Sequence, residues 1–363
     1  MMNNKIKGKG IGILTFPYPE NRNFGAILQG YAIQKMIEKE VNQEVTLINY
    51  YPSVKGNFIR GILLKTLGKG FIEFSETFLN VTKRYHGNND LKELNKFFDT
   101  FIVGSDQVWR PLWLKEFLPK YFFDFVDKDK KKIAFAASFG VDFWEGNETQ
   151  TENIKKLAKK FDFVSVREES GKKICKDIFD IEAQWVLDPT MMIDIEDYQP
   201  IFEDYKSKKH MKKPYIAHML LDDDEKLRKR TYEIAENLSA NIIELKGKRL
   251  SLFGKVQYKY NGVSQWLTYL KDSKLVITDS FHCTVFSILF KKEFIVVANP
   301  RRGKARLINL LKKFEITGRF FDDIDKVIES GVLDKKIDYS KADKKLKEYK
   351  ESSLQFLRKA LGE

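Results

Sequence analysis

The stretch that most limits what this chain can fold into is Lys274-Leu-Val-Ile-Thr-Asp-Ser-Phe-His-Cys-Thr-Val-Phe-Ser-Ile-Leu-Phe290. Leu275, Val276 and Ile277 form the short continuous apolar run that a parallel strand needs when both its faces are covered. Thr278, Asp279 and Ser280 end the run. Val285, Phe286, Ile288, Leu289 and Phe290 then recur too densely for a half-exposed helix, which predicts a buried one. His282 therefore falls on a strand-to-helix turn, where first-turn amides point outward and favour an anion. The carboxyl ends of the strands of an open α/β sheet are also where ligands collect. A plainer reading is an N-capping Asp279 or Ser280 beside an incidental histidine, and this stretch alone leaves both open.

The same grammar recurs along the chain. Gly10 to Phe16 reads as a strand, the loop Pro17 to Gly25 follows, and a helix over 26 to 39 leads to a strand at Val45 to Asn49, a βαβ unit. Gly8, Gly10 and Gly12 precede or occupy the strand, so the Gly-rich dinucleotide fingerprint, which must follow it, is absent. Phe101-Ile-Val103 runs into Gly-Ser-Asp-Gln-Val-Trp109, and Lys132 to Ser138 into Phe139-Gly140. Phe163 to Val166 delivers Arg167-Glu-Glu-Ser-Gly171, and Trp185-Val-Leu187 delivers Asp188-Pro-Thr190. Four strands ending in polar, short-side-chain turns describe one side of a cleft. After a charged seam near Ile195 to Lys213, a second series begins at Tyr215, with strands at Asn241 to Leu245 and Glu293 to Ala298 and helices near 223–239, 263–271 and 304–314. Lys341 to Leu361 reads as a charged amphipathic helix whose apolar positions need a surface to cover.

At 363 residues the chain exceeds one ordinary core, which implies two domains. We place them at 1–195 and 196–340, with a terminal helix at 341–363. Lys and Arg number 64 against 51 acids, a balance of +13 that attracts phosphates, anionic lipid or nucleic acid. The charge is spread without an aromatic, basic recognition motif, so nucleic acid is the least favoured partner. Cys175 and Cys283 show neither metal spacing nor a disulfide framework, which fits a reducing cytoplasm, and the four scattered histidines argue against a metal cage. Residues 1 to 9 lack the apolar core of a signal peptide, and no run is long enough to span a bilayer. Residues 57 to 81 combine apolar bulk with Arg60, Lys65 and Lys69; this segment is either a basic helix in a membrane interface or, more in keeping with its pattern, a helix packed on its own domain.

Taken together, Asn23-Phe-Gly-Ala-Ile-Leu-Gln29, Val103-Gly-Ser-Asp-Gln-Val-Trp109, Ala136 to Gly140, Ser165 to Gly171, Leu187 to Thr190 and Ser280-Phe-His282 resemble the polysaccharide pyruvyl transferase family, in its bacterial branch, over roughly residues 10 to 320. The resemblance implies a GT-B-like fold of two Rossmann-like halves with the site in the cleft between them. It implies transfer of pyruvate from phosphoenolpyruvate onto two hydroxyls of a sugar, giving a cyclic ketal and phosphate. Phosphoenolpyruvate is then a substrate, and no cofactor or metal is expected.

That chemistry can be set against the residues. The donor's carboxylate and phosphate need fixed cations and amide donors, and arginine grips such groups bidentately. Arg167 matches the family's donor-binding arginine, and His282 its donor-site histidine, to which we assign acid catalysis at the methylene carbon or stabilisation of the departing phosphate. Ser280, Phe281 and Ser138 complete the expected donor set. Some members carry arginine where this chain has Ser280, so Arg301, Arg302, Lys304 or Arg306 must supply the charge, with Arg306 favoured, or Ser280 and helix-start amides act unaided. On the acceptor side, Asp106 and Gln107 suit sugar hydroxyls and Trp109 a pyranose face; a local turn with Asp106 as a cap is the alternative. Asn23 and Gln29 reach either acceptor or donor, or cap the first helix. Cys283 reads as a packing residue.

The expected acceptor is a sugar or a lipid-linked oligosaccharide, handled in the cytoplasm or at the inner face of an anionic membrane. A sugar-nucleotide glycosyltransferase of the same architecture, and a non-catalytic glycan- or membrane-binding protein, are the rival readings.

Overall fold

The computed structural model describes residues 10–16, 18–42, 44–52, 66–87, 91–205, 214–252, 255–299 and 304–362. The first part of the basic segment, 57–65, as well as residues 1–9, His210, Arg301 and Arg302, lies outside them.

The chain divides into two compact units. The first takes the described residues up to 52, those from 75 to 193 and those from 348 onward; the second takes 66–74 and 194–347. The boundary thus falls two residues before the expected one, residues 66–74 group with the second unit, and the terminal helix is shared.

In the first unit the strands are β1 (Gly10–Leu14), β2 (Val45–Ile48), the short pair β3 (Tyr50–Tyr51) and β4 (Tyr85–His86), β5 (Phe98–Val103), β6 (Lys131–Ala137), β7 (Phe163–Val166) and β8 (Gln184–Trp185). Six of them form one sheet in the order β2-β1-β5-β6-β7-β8, every pairing parallel. Its strands are near-continuous apolar runs because helices cover both faces. One face packs an aromatic core in which Trp109 stacks on Phe122 at 4.7 Å and Phe101 meets Phe123 and Phe125 edge-on, each at 5.9 Å. Rings so enclosed contribute roughly 1.5–3 kcal/mol each relative to exposure.

The second unit holds β9 (Tyr215–Met219), β10 (Asn241–Glu244), β11 (Gly247–Leu252), β12 (Lys255–Tyr260), β13 (Leu275–Thr278), β14 (Glu293–Val297) and β15 (Phe320–Phe321). Its sheet runs β10-β9-β13-β14-β15, again all parallel, while β11 and β12 form a separate antiparallel hairpin that the sequence reading did not anticipate. Counted by chain order within each sheet, the first unit is wound 2-1-3-4-5-6 and the second 2-1-3-4-5, so the topological switch points fall between β1 and β5 and between β9 and β13. The helices come where the apolar spacing puts them. Phe24–Val41 is capped by Asn23, and Glu148–Ala158 begins with a capping box from Asn147 and Gln150.

The helix Ser340–Leu361 finds the cover its apolar face requires. From residue 348 it belongs to the first unit: Phe356 meets Phe135 and Phe163, Leu357 is buried, and Arg358 pairs with Glu40 at 2.7 Å. In the basic segment the helix Lys69–Phe78 buries Phe71 and Phe74 and leaves the ion pair Lys69–Glu73 outside, so its described apolar face is spent on packing. No helix among the described residues is long and apolar enough to cross a membrane.

The tightest turn in the first unit follows β5. Gly104 has φ +122°, and a Cβ there would lie 2.0 Å from the Phe135 carbonyl oxygen. We therefore expect Gly104→Ala to destabilise the fold by at least about 2 kcal/mol, read as a lower urea midpoint; an unchanged midpoint would show that the turn relaxes freely.

Candidate functional site

The sequence placed its candidates at the carboxyl ends of strands, and the two units use those ends differently. In the first unit the turns after β1, β5, β6, β7 and β8 close into a buried polar network. Arg167, just past β7, donates through Nη1 to Asp188 Oδ2 at 2.7 Å, through Nη2 to Asp106 Oδ1 at 3.0 Å and through Nε to Glu168 Oε1 at 3.2 Å. Ser105 Oγ sits between Asp188 Oδ2 (3.2 Å) and the Ala136 carbonyl (3.0 Å). Ser138 donates to Glu168 at 2.6 Å and accepts from the amide of Gly140. Gln29 accepts from the Ser105 amide at 3.1 Å and donates to Thr15 at 2.6 Å. A register shift in β6, with Ala136 at φ 52°, turns Ala137 and Ser138 toward this network; Ser165 fills the break by bonding both Ala134 and Ala136.

Burial alone would depress the Arg167 guanidinium, but the carboxylates of Asp188, Asp106 and Glu168 outweigh it and hold the group protonated. Its side chain is 1% exposed. Asp188, Asp106 and Glu168 thus engage all three guanidinium nitrogens inside the network. In this arrangement Arg167 ties β5, β7 and the turn after β8 together. Glu168, next in the chain, fixes that guanidinium through Nε. Ser138 and Gln29 are enclosed in the same network.

The expected acceptor residues separate in the same way. Asn23 is exposed and caps the first helix, accepting from the Ala26 amide at 3.2 Å. Asp106 is held in the left-handed region by its bond to Arg167, and Gln107 accepts from Arg110 at 3.1 Å. Trp109 donates its Nε1–H to the Tyr121 carbonyl and is 0% exposed, so its ring packs the core and cannot stack on a sugar. Asp188 is the strongest partner of Arg167 and also caps the short helix Pro189–Met192.

In the second unit the turn after β13 delivers a different set. Ser280 caps the helix Phe281–Leu289, its side chain facing the Cys283 amide, and Thr278 bonds the Ser280 amide at 2.9 Å. His282 is 8% exposed in the first turn, its ring edge-on to Phe281 at 5.4 Å. Arg306, from the helix Ala305–Lys313 after β14, lies over the Phe281 ring at 5.7 Å. Of the other described cations considered for this place, Lys304 pairs with Asp322 at 2.9 Å. Arg306, Phe281, His282 and Ser280 therefore come together on one edge of the second sheet. Burial pushes the Cys283 thiol up to about 12, as expected of an inert packing residue.

Beside them, at the β9/β13 switch point, opens a cavity of about 240 Å³ lined by Asp222, Asp223, Asp224, Leu227, Asp279, Ala298 and Asn299. The sequence reading missed it, although Asp222 to Asp224 follow β9 just as Asp279 follows β13. Asn299 bridges Asp279 (2.6 Å) and Asp222 (3.0 Å), and Asp279 also accepts from the Leu221 amide. Asp223 is neutralised by Arg228 and Arg249. Burial first, opposed by the Asn299 and Leu221 bonds, and the Asp222 charge beyond them leave the Asp279 carboxyl above its usual range. Such acceptors suit hydroxyl groups; no cluster of His, Cys, Asp and Glu among the described residues is arranged to hold a metal.

A family model described as polysaccharide pyruvyl transferase matches residues 23–301. No curated protein sequence matches the chain. Among solved structures, the chain is similar to the UDP-GlcNAc 2-epimerase of Methanocaldococcus jannaschii, with 14% identity, TM-score 0.56 and coverage of 98% of this chain and 99% of that one. It is likewise similar to the UDP-GlcNAc 2-epimerase of Neisseria meningitidis, with 10% identity, TM-score 0.54 and coverage of 97% and 100%. At these identities the likeness is one of fold, and the fold is GT-B-like.

Two measurements check the geometry. Arg167→Met leaves three carboxylates buried without their cation and is expected to cost about 3–5 kcal/mol in urea unfolding; a loss under about 1 kcal/mol would mean that the brace is dispensable. Because its native carboxyl binds protons more tightly than the unfolded one, Asp279 subtracts stability as pH rises from the ordinary carboxylate range through its native midpoint. Carboxyl NMR should place that midpoint above the ordinary range and find it lowered in Asp222→Asn; a normal midpoint in the parent contradicts the reading.

Proposed function

Because the chain belongs to the polysaccharide pyruvyl transferase family, we propose that it moves pyruvate from phosphoenolpyruvate onto two hydroxyls of a saccharide acceptor, a polysaccharide repeat or its lipid-linked precursor, forming a cyclic ketal. The observation that carries this reading is the grouping of Ser280, Phe281, His282 and Arg306 at the carboxyl edge of the second sheet, inside or directly beyond the matched region. In it Arg306 meets the donor's phosphate, helped by first-turn amides of the helix that Ser280 caps. His282 delivers a proton to the methylene carbon. The carbon–carbon double bond becomes a methyl group, the first hydroxyl oxygen bonds the central carbon, and the second displaces phosphate there. Of the two hydroxyl protons lost, one is balanced by that taken up at the methyl carbon and the other leaves with phosphate.

The acid-lined cavity beside this edge favours a second reading. Asp222, Asp279 and their bridge Asn299 accept hydroxyls and repel a free dianion, which would fit the ribose of a nucleotide-sugar donor better than phosphoenolpyruvate. The two readings differ in what leaves. The chain is expected to act in the cytoplasm, at the membrane face where the acceptor is lipid-linked.

Incubation with labelled phosphoenolpyruvate and lipid-linked saccharides should give acceptor-dependent phosphate release, and His282→Ala should lower the rate by about 10²–10⁴-fold. Nucleotide release from a sugar nucleotide, with no phosphate from phosphoenolpyruvate, would replace the first reading by the second.

A further inference from the structure

Large apolar side chains left in water on a soluble domain mark binding surfaces when they are grouped. Of the six large hydrophobic side chains that stand exposed among the described residues, three lie in the first unit: Leu112 (59%) and Trp113 (46%) on the short helix Pro111–Leu114 that follows β5, and Phe143 (60%) in the loop after β6. A polar clamp joins these two segments. Arg110 grips Glu145 with two parallel bonds, Nε to Oε2 and Nη2 to Oε1, each 3.1 Å, and its Nη1 donates to Gln107 Oε1 at 3.1 Å. The same guanidinium lies over the Trp113 ring, 4.8 Å from its centroid. The second segment is anchored from within, where Trp144 donates to Thr151 at 2.8 Å and packs edge-on against Phe179 at 4.9 Å.

We infer that Trp113, held against the Arg110–Glu145 clamp, is the platform on which a pyranose ring of the acceptor stacks. A pyranose presents a face of C–H groups, which an indole covers, and a rim of hydroxyls, which needs donors and acceptors beside that indole. Arg110 and Glu145, whose side chains keep 15% and 13% of their surface exposed, retain N–H and lone-pair capacity beyond the clamp and supply both. The clamp fixes the ring before any ligand arrives, so little side-chain entropy is lost on binding. Local charge selects the occupant. The two segments 110–116 and 141–148 carry Arg110 and Lys115 against Glu116, Asp142, Glu145 and Glu148, a local excess of acids on a chain of net charge +13. An anionic bilayer or a phosphorylated donor is repelled there, and an uncharged sugar is not. The platform takes the role that the sequence gave to the buried Trp109. It rests on the proposed function only in that the acceptor is a saccharide.

The test is ligand-observed NMR titration of the full chain, without phosphoenolpyruvate, using gluco-, galacto- and manno-configured oligosaccharides and their N-acetylhexosamine counterparts. At least one should bind. Trp113→Ala should weaken it by about tenfold or more, whereas Trp113→Phe should recover much of the affinity and Tyr232→Ala, which removes an exposed ring of the second unit, should bind as the parent does. Since Trp113 is half exposed, circular dichroism should show both variants folded. The inference fails if no saccharide binds, if Trp113→Ala binds as tightly as the parent, or if the parent instead associates through Trp113 with phosphatidylglycerol vesicles. Trp113-dependent saccharide binding without any pyruvate transfer would sustain the platform and sink the proposed chemistry.

Discussion

One buried guanidinium holds the working edge of the first unit in place. Arg167 meets Asp106, Glu168 and Asp188 from the turns after β5, β7 and β8, and Ser105, Ser138 and Gln29 extend the network to β6 and the first helix. Taking such charges out of water is costly, and the cost is met only when geometry and hydrogen bonding are nearly complete. The loops built on this edge therefore inherit one arrangement. Arg110, Gln107 and the exposed Trp113 follow the braced turn after β5, and Phe143 and Glu145 follow the one after β6.

The second unit handles charge in the opposite way. Its switch point gathers acceptors, Asp222, Asp279 and Asn299, within an open cavity, while the adjacent edge presents His282 in a helix's first turn and Arg306 over Phe281. Hydroxyl-binding and anion-binding chemistry thus lie side by side on one sheet edge. This juxtaposition is why the identity of the leaving group, more than any single residue, separates a pyruvyl from a glycosyl transferase.

Much of the architecture was legible because buried parallel strands leave a local signature. Leu275 to Ile277 and Ile133 to Ala137 are continuous apolar runs, and each is followed by a polar turn where the structure puts a strand end. The Arg167 network was not legible, because its three carboxylates lie 61, 21 and one residue away in the chain and only folding reveals that they share a cation. Trp109 misled for a related reason: a tryptophan after a polar turn reads as a ligand platform, yet the turn bends its ring under the sheet against Phe122. The alternation of Val256, Tyr258 and Tyr260 was signal enough for the hairpin that was missed.

In the proposed reaction donor charge is met at Arg306. Equilibrium binding of phosphoenolpyruvate to the parent and to Arg306→Ala tests it most directly. The account predicts at least about a tenfold loss of affinity in the variant, about 1.4 kcal/mol. Equal binding by both proteins would contradict it.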